Sequence, residues 1–125
     1  MTGRHIPSRW HGSLLGNDFR ANRTVRYSIE ESGSGFKSQE VETVLHSSHR
    51  SYRPVDIKMG PDGAVYIVDW YNPIIDHGEV DFHHPLRDKS HGRIWRLTAI
   101  DQPLLEWPVI AEATTKELFE HLTSD

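Results

Sequence analysis

The residues best suited to chemistry in this 125-residue chain gather between Arg53 and Arg93. Asp69-Trp70-Tyr71-Asn72 closes an apolar run, and Asp69 and Asn72 there offer groups that suit a calcium ion or a hydroxyl-bearing ligand. The competing reading sets the Asp69 carboxylate on backbone N–H groups in a tight corner, with Trp70 and Tyr71 packed beside it. A loop then carries His77, Glu79, Asp81, His83, His84, Asp88 and His91. Imidazole and carboxylate suit transition metals, which makes His77, His83 and His84 candidate ligands. Their spacing matches no established metal signature, and no helix aligns two of them on one face. His91-Gly92-Arg93 pairs a candidate catalytic base with an anchor for an anion or a quinone. The alternative joins Arg93 to Asp69 or Asp88 and fixes the loop. Arg53 and Asp56 flank the start of a strand, where they either reach a ligand or pair with each other.

A β framework must position these groups. Residues 24–31 set Val25, Tyr27 and Ile29 against Arg26, Ser28 and Glu30, and residues 53–60 set Val55, Ile57 and Met59 against Asp56 and Lys58. That period of two predicts half-buried strands. Residues 11–20 read as a further strand. Residues 36–47, with Phe36, Val41, Thr43 and Leu45, alternate less cleanly and predict an exposed edge. "SGSG" at 32–35 is a turn, and Asp62-Gly63 reads as a turn and nothing more. Residues 64–70 are apolar on both faces, which predicts a central strand. A loop over 72–91 leads to a sixth strand at 92–98, with Ile94 opposed to Trp95 and Leu97. Trp10, Trp95 and Trp107 read as packing residues. After a proline-bounded connector, Thr114 and Glu117 make a capping box for a helix over 114–122. Leu118, Phe119 and Leu122 give that helix an apolar docking face.

Composition narrows the function. Fourteen Lys and Arg against eighteen Asp and Glu leave a net charge of −4, with no electrostatic attraction for nucleic acid. The absence of cysteine removes disulfides, thiol catalysis, zinc-thiolate sites and c-type haem attachment. No apolar run is long enough for a signal peptide or a membrane span. Antiparallel strands in sequence order around a DG hairpin predict a sandwich, a barrel or propeller blades. A blade takes about 40–45 residues and a ring at least about four blades, so the chain holds about one and a half.

The runs "RPVDIKMGPDGAVYIVDWYNPII", "HGEVDF" and "HGRIWRLT" strongly resemble the last propeller blade of the membrane-bound dehydrogenase-like proteins of planctomycetes, verrucomicrobia and their relatives. "GRHIPSRWHGSLLGNDFRANRTVRYSI" resembles the preceding blade. Members of that family carry an export signal and a propeller similar to pyrroloquinoline-quinone (PQQ) sugar dehydrogenases. A helical HEAT-like region follows, often with a C-terminal cytochrome c domain.

The resemblance implies an internal piece of a longer, exported or periplasmic protein: propeller blades over 1–100, then a connector and the first helix of the helical region over 101–125. It implies PQQ and calcium as cofactors, with haem confined to a domain outside this chain. The expected function is then part of a quinone- or haem-linked dehydrogenase acting on sugars or other alcohols, inactive alone, with the rest of the parent protein as partner. The alternative is a propeller scaffold that binds carbohydrate or protein without catalysis. The expected fold is all-β, a partial β-propeller with a short C-terminal α-helix.

Overall fold

Alternating strands and glycine-bearing turns fold into two antiparallel meanders. In the computed structural model, which describes residues 5–76, 78–107 and 109–123, β1 (Leu14–Asp18), β2 (Arg23–Ser32) and β3 (Gly35–His46) form one three-stranded sheet. β4 (Pro54–Met59), β5 (Val65–Asp69) and β6 (Arg93–Leu97) form the other. A single 3₁₀ turn, Ser8–Trp10, precedes the first sheet, and a helix, α1 (Thr115–Thr123), follows the second. The architecture is all-β with one short C-terminal helix, and the sheets stay open. β1 of one sheet lies against β4 of the other.

Each turn has a chemical cause. Between β2 and β3, Gly33 takes φ 63° while Ser34 stays at negative φ, the pattern of a two-residue II′ hairpin. Between β4 and β5, Gly63 donates to the Gly60 carbonyl at 2.9 Å and takes φ 79°. A Cβ on Gly63 would sit 2.7 Å from the Cβ of His5, so the turn requires glycine twice over.

The weak alternation of residues 36–47 also has a cause. β3 carries two register shifts against β2, which leave Val44 and Val41 as extra residues. Each bulge flips the face of the residues after it, so no single period runs through the strand. Phe36, beside the hairpin turn, and Val41, one of the extra residues, are exposed, and Leu45 is the expected apolar residue that reaches the core. A bulge at Val55 has the same effect on β4, where Val55 turns outward and Ile57 inward.

Ile6, Val65 and Ile67 form the buried centre, with Trp10, Leu15, Leu45, Ile57 and Leu97 packed around them. The centre thus draws on both sheets and on the segment before the 3₁₀ turn. Burying each of the three central side chains contributes about 1.5–3 kcal/mol, and the partly buried ones around them less. His5 ties that segment down. Its Nδ1 donates to the Pro103 carbonyl at 2.8 Å, and its Nε2 accepts from Ala99 N at 3.2 Å. β5 is central as expected, with Val65, Ile67 and Asp69 buried on one face and Tyr66 and Val68 half-buried on the other.

At the C-terminal end the capping box forms in both directions. Glu117 Oε2 accepts from Thr114 N at 2.7 Å, and Thr114 Oγ1 accepts from Glu117 N at 3.4 Å. The stripe of Leu118, Phe119 and Leu122 is exposed, and so is Trp107, which departs from its expected packing role. No described helix is long and apolar enough to cross a membrane.

Gly63→Ala imposes both a left-handed backbone and the clash with His5. It should lower the unfolding free energy by on the order of 1–3 kcal/mol, read as a shifted midpoint in urea.

Candidate functional site

Asp69 ends β5 with 1% of its surface exposed, so its carboxylate must be satisfied from within. Oδ1 accepts from Arg53 N at 2.8 Å and from Tyr71 N at 2.9 Å. Oδ2 accepts from Arg93 Nε at 2.9 Å and from Trp95 Nε1 at 3.1 Å. Burial alone would lift the Asp69 carboxyl. The bonds from Arg53 N, Trp95, Tyr71 N and Arg93 together outweigh it and hold the group below its ordinary value of 3.8. The tight-corner reading of Asp69 describes this geometry, and Arg93 pairs with Asp69 rather than with Asp88.

Arg53 is buried and serves a different end from the expected pair with Asp56. Its Nε donates to the Asn72 carbonyl at 3.0 Å, and its Nη1 donates to the Phe19 carbonyl at 2.7 Å in the β1–β2 turn. One guanidinium therefore pins the corner to the other sheet. Desolvation depresses the Arg53 guanidinium, with Arg50 acting in the same direction. Asp56 lies apart and exposed, bonded to Lys58 Nζ at 3.1 Å. The pair does not form: three residues apart on an extended chain, Arg53 turns in to the corner carbonyls while Asp56 faces solvent beside Lys58.

Asn72 is also consumed internally. Its Oδ1 accepts from Ile74 N at 3.1 Å and its Nδ2 donates to the Asp88 carbonyl at 3.1 Å. Asp88 in turn accepts from His91 Nδ1 at 2.8 Å. Asp69, Asn72, Arg53, His91 and Arg93 thus meet in one network, although they were drawn from three separate stretches of sequence. The cavities of about 730 Å³ and 520 Å³ are lined by none of these five residues.

Tyr71 is the strained member. It holds φ 55°, a region that a bulky residue enters only when its surroundings compel it. The compulsion is visible. Its N–H is taken by Asp69, the Arg93 guanidinium lies 4.2 Å from its ring centroid, His49 stacks at 5.6 Å, and His91 meets its edge at 5.7 Å. Arg93 also sits 5.1 Å from the Trp95 ring. Its Nη2 is buried without a hydrogen-bond partner, enclosed by aromatic faces. The Tyr52 hydroxyl is the other such atom among the described residues. Burial raises the Tyr52 phenol despite the opposing influence of the Thr24 hydroxyl, to which no well-formed bond is made.

Of the three metal candidates, two lie among the described residues, and they belong to no ligand group there. His83 and His84 are engaged in local turns, where His83 N donates to Asp81 Oδ1 at 2.8 Å and His84 Nδ1 accepts from Leu86 N at 3.2 Å. His77 lies outside the described residues. Among the described residues no group of three His, Asp or Glu side chains can hold a metal ion. Calcium needs about six to eight oxygen ligands. The oxygens of Asp69 and Asn72 are already occupied, so these residues do not fit the ion or a quinone bound through it. Arg87 organises the loop by donating to the carbonyls of Asp76, Val80 and Asp81.

A second buried carboxylate went unrecognised in the sequence. Asp62 is 1% exposed and accepts from Arg96 Nε at 3.0 Å, Tyr66 OH at 2.9 Å and Ala64 N at 3.1 Å. Desolvation would raise it, but Arg96, Tyr66 and Ala64 N together lower it. The reading of Asp62 as only a turn residue is therefore corrected. The available signal was an acid at each end of β5, matched by Arg93 and Arg96 on β6. Nothing in the sequence marked His49 or the left-handed backbone of Tyr71.

Both carboxylates are depressed in the fold, so the stability they contribute is present above the ordinary value of 3.8 and lost as pH falls through their lower folded values. Asp69→Asn should cost on the order of 2–4 kcal/mol, less than for a fully enclosed pair because Arg93 stays 34% exposed. Unfolding measured from about pH 6 to pH 2 should show a shallower acid limb in this variant than in the parent.

A family model described as Domain of unknown function (DUF7133) matches residues 1–101. No curated protein and no solved structure matches the chain. Both sheets and the whole Asp69 corner fall inside the matched span, and the chain belongs to the family described as Domain of unknown function (DUF7133).

Proposed function

We propose that the chain is part of a binding scaffold without catalysis of its own, and that the surface around the Asp69 corner receives carbohydrate. The observation that carries this reading is the saturation of Asp69, whose four hydrogen bonds are all internal. Acid–base chemistry needs a titratable group within reach of the reacting atom. Asp69 is sealed, and Arg53 and Asn72 are spent on backbone groups. Such a corner makes a rigid support rather than a reaction centre.

The groups left facing solvent suit a sugar. Trp70 and Trp95 are exposed by 36% and 37%, and the His91 side chain by 67%. Aromatic surface covers the apolar faces of pyranose rings, and imidazole and guanidinium donors meet hydroxyls. A dehydrogenase of the kind the chain resembles would have to draw its reacting groups from outside these residues. An exported setting, where glycans are encountered, belongs to the same proposal.

Titration of the 125-residue chain with neutral and acidic oligosaccharides, followed by tryptophan fluorescence and calorimetry, tests this reading. Saturable binding is expected, weakened roughly five- to tenfold by Trp70→Ala, the scale of one aromatic contact. Absence of binding across the panel overturns it, as does dye-linked sugar oxidation by this chain that His91→Ala abolishes.

A further inference from the structure

The free edges of the two sheets are not alike. β3 is broken by bulges at Val41 and Val44. β4 opens on Pro54, carries the Val55 bulge and lies against β1. Such features blunt an edge against further pairing. β6 has none of them. It pairs with β5 through five consecutive residue pairs without irregularity, and it contains no proline, glycine or lysine. Among the described residues its other side is open, since β5 is its single neighbour in the sheet. Among the described residues no loop or turn backbone bond reaches it.

The charges that would ordinarily guard such an edge are engaged elsewhere. Arg93 is held by Asp69 at 2.9 Å and Arg96 by Asp62 at 2.5 Å. Between them Ile94 is 70% exposed and Trp95 37% exposed. An apolar, regular and uncovered edge strand is a template for another strand.

We propose that β6 is an interface on which a second copy of this chain pairs, antiparallel and edge to edge. The run Arg93-Ile94-Trp95-Arg96-Leu97 is complementary to itself about Trp95. Pairing centred there sets the two Trp95 residues opposite each other, Ile94 opposite Arg96 of the second copy, and Arg93 opposite its Leu97. No like charges then face one another, and a cross-strand aromatic pair forms at the centre. The contact is isologous, and it joins two three-stranded sheets into one of six strands. This self-complementary register favours a copy of the chain over a foreign strand.

Sedimentation and light scattering of the intact chain across about 1–200 μM test the proposal, alongside Ile94→Lys. That substitution sits on an exposed side chain and sets a new cation opposite Arg96 of the second copy. A dimer is expected for the parent, with at least roughly tenfold weaker association in Ile94→Lys and an unchanged circular dichroism spectrum. Hydrogen exchange should show concentration-dependent protection confined to β6. A monomer at every concentration, which would leave the edge to a foreign strand, overturns the proposal. So does a dimer that Ile94→Lys leaves intact, or protection that appears on β1 or β3 instead.

Discussion

A carboxylate with almost no exposed surface must be surrounded by donors or it cannot remain charged, and Asp69 sets that condition for the second sheet. Its four donors come from the residue before β4, from the corner after β5, and from two positions on β6. Meeting the condition fixes where each of these segments can lie. Arg53 carries the constraint further, because its guanidinium reaches the Phe19 carbonyl beside the other sheet. The relation of the corner to the first sheet thus follows from the demands of a single buried charge.

The opposite end of β5 repeats the arrangement with different parts. Asp62 takes Arg96 where Asp69 takes Arg93, so an ion pair clamps each end of the central strand to β6. Buried pairs of this kind add little net stability, because desolvation offsets much of the attraction. What they exclude is misregistration. A slip of β6 by one residue would carry both arginines to the wrong face and strand both carboxylates. With an apolar centre as small as Ile6, Val65 and Ile67, such polar specificity matters more than it would in a larger core. The strained backbone of Tyr71 is tolerated in the same setting, held by the carboxylate on one side and by Arg93 and two histidines around the ring.

The strand framework was legible because each strand was announced locally, by alternation, by the DG and SG turns, or by the two-sided apolar character of β5. The capping box of α1 was legible for the same reason, since its two residues lie three apart. The corner was legible in membership but not in role. Asp69, Asn72, Arg53, His91 and Arg93 were all singled out, yet composition cannot show whether a polar group faces a ligand or its own backbone. Asp56 and Asp62 show how that fails in both directions. The first was taken up by Lys58 while Arg53 turned to backbone carbonyls, and a strong turn signal concealed the long-range partner of the second. The histidine loop stood out through density alone, and density in sequence does not show whether imidazoles converge in space.

The His5 tether has a consequence for how the molecule is made. Its ring nitrogens meet Pro103 and Ala99, and Ile6 beside it packs on Val65 and Ile67. The chain leaves the ribosome amino end first, so the first sheet can form before Val65 and Ile67, the buried partners of Ile6, have been made. Ile6 gains Val65 and Ile67 once β5 has emerged, whereas His5 gains its bonds only when Ala99 and Pro103, beyond β6, have followed. His5 thus waits for partners 94 and 98 residues further along the chain, and the segment it tethers takes its final place only after both sheets have been synthesised.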